Sequence, residues 1–326
     1  MDNPYKSVLA NEIYEYIRLM ESAGRSLPSY RVTFKSLDAY FVKHNMQEKM
    51  LTESMINDWL RSLTKCKPIT KNGRITHLRH FARYLAALEI PAYEPAPLKA
   101  RSDFVAYTFT NEEFAGIIAA ADAFAAVKSR TNSTSYVFPV LLRILYGCGL
   151  RIGEALNIRW RDINFDNETI FIREAKNFKQ RIVPMHSSLA DVLKLFHVRQ
   201  VTDRPNADLL FESNQKQGEP YLDWTFRDWF LTILEIAGIA VRHKEPFDRS
   251  ISTHTLRHYF TFKSFLQSES NGRSLEETAP FLATYLGHDS FQGTEKYLST
   301  DYTVYESSQK RMNESIGGLF PVVTFE

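Results

Sequence analysis

The chain has 326 residues, of which 44% are hydrophobic and 24% charged, with a formal net charge of +2. That is enough apolar sequence for two cored domains and too balanced a charge for a disordered chain. No run reaches the roughly 18–20 apolar residues that a spanning helix needs, and Met1–Lys6 does not lead into an apolar signal core, so the expectation is a cytoplasmic chain with no membrane partner. Cys66 and Cys148 are too far apart for a zinc spacing or a disulfide framework, which argues for a reducing compartment and no structural metal.

Apolar residues recur at helical spacing from the start. Val8, Leu9, Ile13, Tyr16, Ile17 and Met20 mark a helix over residues 6–23, and Pro28-Ser29 opens a second that ends near His44. Thr52-Glu53 begins a third, burying Met55, Ile56, Trp59, Leu60 and Leu63. A fourth runs from Thr70 to about Glu89 with Ile75, Leu78, Ala82 and Leu85 as its inward stripe. Residues 1–90 therefore read as a small helical domain. Pro91, Pro95 and Pro97 cannot continue a helix and favour an extended connector, placed at residues 91–108.

The second domain, residues 109–302, opens on Thr110 and Glu113, a capping-box pair. Helices are predicted to about Lys128 and from Ser135 to Gly147, followed by the glycine-punctuated turn Gly147-Cys148-Gly149. Asp162–Phe165, Thr169–Arg173 and Arg181–Pro184 read as short strands, with Lys176–Gln180 in a hairpin turn. Helices resume at 187–200, 223–237, 252–267, 275–286 and 303–311. The fold class is mainly α with one small antiparallel β-sheet.

Charge is distributed unevenly. Residues 1–99 hold 15 Lys+Arg against 10 Asp+Glu, and the remainder 25 against 28. Arg61, Lys65, Lys67, Lys71, Arg74, Arg79 and Arg83 follow one another with no acidic residue up to Leu88. Such a segment is the footprint expected of a phosphate-backbone contact, and Arg79 and Arg83 share a face that is expected to be free for a partner.

Neither a phosphate-binding G-x-x-x-x-G-K-[ST] loop nor G-x-G-x-x-G nor H-E-x-x-H is present, so no nucleotide, dinucleotide or metal cofactor is expected. What stands out is Thr253-His254-Thr255-Leu256-Arg257-His258. Taken singly, its residues carry little: the same H-x-x-R spacing occurs at His80 and Arg83. Arg151 alone reads as a salt-bridge partner of a carboxylate such as Glu154, and Lys176 as a solvated lysine.

Taken together, these residues resemble the tyrosine recombinase (phage integrase) family. Gly149-Leu150-Arg151-Ile152-Gly153-Glu154 is similar to the family's first arginine box. Lys176 falls in the hairpin where the family keeps its lysine, followed by Val183-Pro184. Thr253–His258 resembles the second box, and Leu286-Gly287-His288 with Tyr297 nine residues on resembles the third box and its nucleophile. The resemblance implies a helical core-binding domain that clamps DNA and a mixed α/β catalytic domain.

It also implies a mechanism. Two guanidiniums, Arg151 and Arg257, would answer the charge that gathers on a phosphodiester under attack. Tyr297 would attack to give a 3′-phosphotyrosyl linkage, with His254 as acid/base partner, His288 as a donor to the phosphate and Lys176 as general acid for the 5′-oxygen. Exchanging one phosphodiester for another needs neither ATP nor metal. The partners implied are double-stranded DNA carrying specific recombination sites and a homo-oligomer, dimer to tetramer, on it. Residues 303–326 would form a helix and an apolar tail (Leu319-Phe320-Pro321-Val322-Val323) that docks on a neighbouring protomer.

Two departures bear on the reading. Thirty residues separate Arg257 from His288, and Gly293 stands where the family often has threonine, which favours a mobile-element recombinase over a chromosome-dimer resolvase. Lys179 competes with Lys176, and Tyr302 and Tyr305 are fallback nucleophiles. The alternatives in activity are a type IB topoisomerase-like DNA relaxation and a catalytically silent DNA-binding regulator of the same fold.

Overall fold

A computed structural model describes residues 3–25, 27–99, 107–128, 136–173, 180–203, 206–239 and 251–287. The chain divides into two compact units, Met1–Asp103 and Phe104–Glu326.

The first unit holds four helices: α1 (Ala10–Ser22), α2 (Pro28–Lys43), α3 (Glu53–Ser62) and α4 (Pro68–Ala87). Asp38, buried on α2, accepts the backbone N–H groups of Lys6 and Ser7 at 2.8–3.0 Å and so fixes the segment that enters α1. Helix α4 begins two residues earlier than the pattern predicts. Pro68 occupies its first turn, where the missing N–H costs nothing and the fixed φ is already helical. The core is aromatic: Tyr16 packs edge-on to Phe34 at 5.7 Å, and Phe34 meets Phe81 at 4.9 Å.

The proline-rich stretch does not simply leave this unit. The Leu51 N–H donates to Pro91 O, and the Tyr93 N–H to Leu51 O, at 2.9 and 2.7 Å. Asn72 of α4 exchanges two hydrogen bonds with the backbone of Leu98 (2.8 and 2.7 Å). Residues 91–98 are thus tied to the first unit over most of their length.

The second unit is built around α6 (Val137–Gly147), which buries residues on every side, as a central helix must. α5 (Asn111–Lys128), α8 (Ser187–Asp203) and α10 (Thr253–Ser270) pack against it, and α9 (Asp223–Ile236) packs against α5. The predicted capping box opens α5: the Thr110 N–H donates to Glu113 Oε2 at 2.9 Å, and the Glu113 N–H to Thr110 Oγ1 at 3.1 Å. The sheet is antiparallel with order β1 (Ile163–Asn164), β2 (Thr169–Ile172), β3 (Arg181–Pro184). Ile170 faces Val183, both fully buried, and Ile172 faces Arg181. The short helix α7 (Ile152–Leu156) follows the Gly149 turn. α11 (Leu275–Leu286) packs on α10 and ends at Gly287, whose φ of 67° is left-handed. The predicted helix 303–311 and the tail to 326 lie outside the described residues.

Candidate phosphate-binding site

Four segments meet at Glu154: the Gly149 turn with α7, the start of β3, the first turns of α10 and the end of α11. Each is positioned by a local rule. Gly149 has a φ of 59°, and a Cβ there would lie 2.3 Å from the Phe260 ring, so both the turn and the approach of α10 require glycine. Thr255 accepts the Ser252 N–H at 3.0 Å and sets the start of α10. That start leaves His254 exposed and turns Arg257, three residues on, into the interior.

Glu154 is nearly sealed from water, its side chain 3% exposed. Its Oε1 accepts Arg151 Nη1 at 2.7 Å and Arg181 Nη1 at 3.2 Å. Oε2 accepts the Arg151 backbone N–H at 3.0 Å and Arg181 Nη2 at 2.8 Å, with Arg257 Nη1 3.8 Å away. Burial by itself would raise this carboxyl. The Arg181 hydrogen bond and charge, with those of Arg151, outweigh it and hold the group below the ordinary carboxylate value. Three guanidiniums therefore surround one carboxylate, and the cluster carries excess positive charge that a phosphate can answer.

The two arginines expected to grip that phosphate occupy different environments. Arg151 is a quarter exposed and, with Thr253 and His254, lines an open cavity of about 500 Å³. Arg257 is completely buried. Its Nη1 donates to Gly149 O at 2.9 Å and its Nη2 to Leu286 O at 2.6 Å, so it ties the first-box turn to the end of α11. Its fork holds backbone in this arrangement. Tyr285 is a phenol close by, but it donates to Cys148 O at 3.2 Å and burial pushes its pKa up, which removes it as a nucleophile.

The structure thus brings Arg151, His254 and Arg257 to one place. Lys176, His288 and Tyr297, with Lys179, Tyr302 and Tyr305, lie outside the described residues. Glu154 was legible only as a partner of Arg151, and Arg181 was missed. The available signal was a basic residue on the inward face of a strand, in alternation with Val183.

Within the basic segment of the first unit, several side chains are engaged by neighbours while Arg61, Lys65, Lys67 and Arg83 stay exposed. Glu94 holds both Arg79 (Nε to Oε1, 2.9 Å) and Arg83 (Nη2 to Oε1, 2.7 Å; Nε to Oε2, 3.0 Å), so the face expected to be free is occupied. Arg61 pairs with Asp58 at 2.8 Å. Lys71 donates to Leu60 O at 2.7 Å, and Arg74 donates to Ser36 Oγ at 3.2 Å beside the Trp59 ring. Lys65 and Lys67 remain exposed at the α3–α4 connection. The reason is positional: Asp58 and Glu94 lie just beyond the two ends of the acid-free window and fold back onto it. Among the described residues there is no cluster of three His, Cys, Asp or Glu side chains that would hold a metal ion.

The phage integrase family model matches residues 108–303. The chain belongs to the phage integrase family. It is 26% identical to the integrase/recombinase y4rB of Sinorhizobium fredii over 319 residues, which cover 94% of this chain and 97% of that one. To a tyrosine recombinase of Pseudothermotoga lettingae it is also 26% identical, covering 90% and 93%. Among solved structures, XerH bound to its palindromic difH substrate superposes with a TM-score of 0.64 at 20% identity, covering 89% of this chain and 79% of that chain. This last likeness concerns the fold.

Proposed function

We propose that this chain is a site-specific tyrosine recombinase that cuts and rejoins duplex DNA through a 3′-phosphotyrosyl intermediate, in the service of a mobile element. The observation that carries the reading is the Arg151 guanidinium, backed by buried Glu154 and facing an open cavity beside His254. A phosphodiester seated there meets a partly exposed guanidinium with an imidazole at hand.

In the reaction, the Tyr297 hydroxyl oxygen bonds to phosphorus while the bond from phosphorus to the 5′-oxygen breaks. His254 takes the phenol proton, Lys176 delivers one to the departing 5′-oxygen, and His288 donates to the phosphate. Arg151 answers the developing charge directly. Arg257 holds the Gly149 turn and the end of α11 around the site with two of its five N–H donors. Reversal with the 5′-hydroxyl of a second strand completes the exchange. Two duplex sites require several protomers, so the working unit is a dimer to tetramer on DNA, with residues 303–326 bridging neighbours. Cytoplasmic DNA is the expected setting; among the described residues no helix is long and apolar enough to cross a membrane. Arg61, Lys65, Lys67 and Arg83 are exposed basic side chains of the first unit suited to the backbone of the duplex.

The test uses a binding site selected from a random duplex pool and a nicked suicide version of it. The wild-type chain becomes covalently joined to the 3′ end, whereas Tyr297→Phe binds the site and is never joined. Covalent trapping by Tyr297→Phe would overturn the choice of nucleophile.

A further inference from the structure

Arg181 belongs to none of the motifs that point to recombination. It opens β3 opposite Ile172, and the residues that connect these two strand positions include Lys176. Its side chain is only 12% exposed. A guanidinium this far from water is costly unless its charge and N–H groups are answered. Glu154 answers the charge and the two Nη groups with both oxygens, at 2.8 and 3.2 Å, while Nε has no hydrogen-bond partner among the described residues. Arg181 also lies against the turn that ends α11: a Cβ on Gly287 would sit 3.2 Å from its Nη1. The carbonyl of the same Gly287 lies 3.5 Å from Nη2 of Arg151. One buried side chain therefore touches, directly or through Glu154, the strand after Lys176, the loop of Arg151 and the turn before His288.

We infer that Arg181 is a positioning residue for strand cleavage: by engaging both oxygens of Glu154 beside the Gly287 turn, it fixes the Arg151 guanidinium in the orientation that meets the scissile phosphate. The inference rests on the recombinase reading. A carboxylate directs two guanidiniums at once only when each is held in its own direction. Without Arg181, Glu154 is free to pair with Arg151 through both oxygens and to draw its guanidinium away from the cavity. A displacement of about 1 Å at such a group is enough to cost on the order of 100-fold in rate.

The experiment compares the full-length wild type with Arg181→Met, Arg181→Lys, Glu154→Gln and the Met/Gln pair. It measures affinity for the selected site, melting temperature and single-turnover formation of the covalent complex. Arg181→Met is expected to bind within about threefold of wild type while joining DNA roughly 100-fold more slowly. Arg181→Lys, which keeps the charge and loses the fork, recovers about tenfold of that loss and carries the same comparison if the Met variant melts below the assay temperature. The double variant is no slower than Glu154→Gln alone, within about threefold, because Arg181 acts through Glu154. On a duplex whose scissile phosphate is replaced by a neutral methylphosphonate, the deficit shrinks to under about tenfold, since the charge that Arg151 answers is gone. A wild-type rate for Arg181→Met overturns the inference, as does an equal loss of affinity, melting temperature and rate, or an undiminished deficit on the methylphosphonate. If the wild type itself forms no covalent complex, the recombinase reading fails instead.

Discussion

Replacing Arg257 by Met tests the arrangement at its most buried charge. The side chain is fully enclosed and donates to the carbonyls of Gly149 and Leu286. Methionine fills a similar volume, so little cavity opens, but two buried carbonyls lose a charged donor. A hydrogen bond to a charged group contributes about 1.5–3 kcal/mol net, and removing one partner of a buried ionic network costs about 3–5 kcal/mol. The expected loss is therefore about 3–5 kcal/mol, or on the order of 10 °C in melting temperature for a unit of this size. Arg151→Met is the control. Arg151 is a quarter exposed and its removal leaves Glu154 still paired with Arg181, so its stability loss stays near 1 kcal/mol or less. Both variants abolish covalent joining, but only one unfolds early. The assay is urea unfolding and calorimetry of the full chain. If Arg257→Met melts within a degree or two of wild type, or if Arg151→Met falls as far, the bridging role is refuted.

Gly149→Ala combines a left-handed φ with a Cβ placed 2.3 Å from the Phe260 ring, so it destabilises by about 2–4 kcal/mol; adding Phe260→Ala relieves the steric part, visible as non-additive urea midpoints. Hydrogen bonds from Arg83 and then Arg79 lower the Glu94 carboxyl to about 2. A depressed folded value means its stabilisation is complete above the ordinary value of 4.5 and disappears as pH falls to about 2, so the melting-temperature gap between wild type and Glu94→Gln closes over that window. Burial pushes the Cys148 thiol up to about 12, while Cys66 is half-buried; iodoacetamide at neutral pH therefore modifies one thiol in the native chain and two after denaturation, counted by mass spectrometry.

The sequence by itself determined the four helices of the first unit, the longer described helices of the second, the three strands of a small antiparallel sheet, and the family. Those features are written in local periodicity, caps and motif order, as at Thr110–Glu113. It also brought Arg151, His254 and Arg257 under suspicion together, although they come from elements about 100 residues apart. Only the tertiary structure decided what each side chain does there. Arg257 and Arg151 look equivalent in their motifs. One is sealed against two carbonyls and the other faces a cavity, because α10 turns its fifth residue inward while the Gly149 turn leaves Arg151 at the rim. Glu154 became the centre of the site through Arg181, 27 residues away on a strand. On α4 a surface contact of the same kind engages two arginines, with the Arg83 side chain still 61% exposed. Glu94 is 11 and 15 residues from its two arginines, and nothing in the intervening sequence marks the fold-back. Local structure follows from short-range sterics and hydrogen bonding, which a sequence displays. Ion-pair choice follows from which charges folding removes from water together, and that is a property of the packed chain.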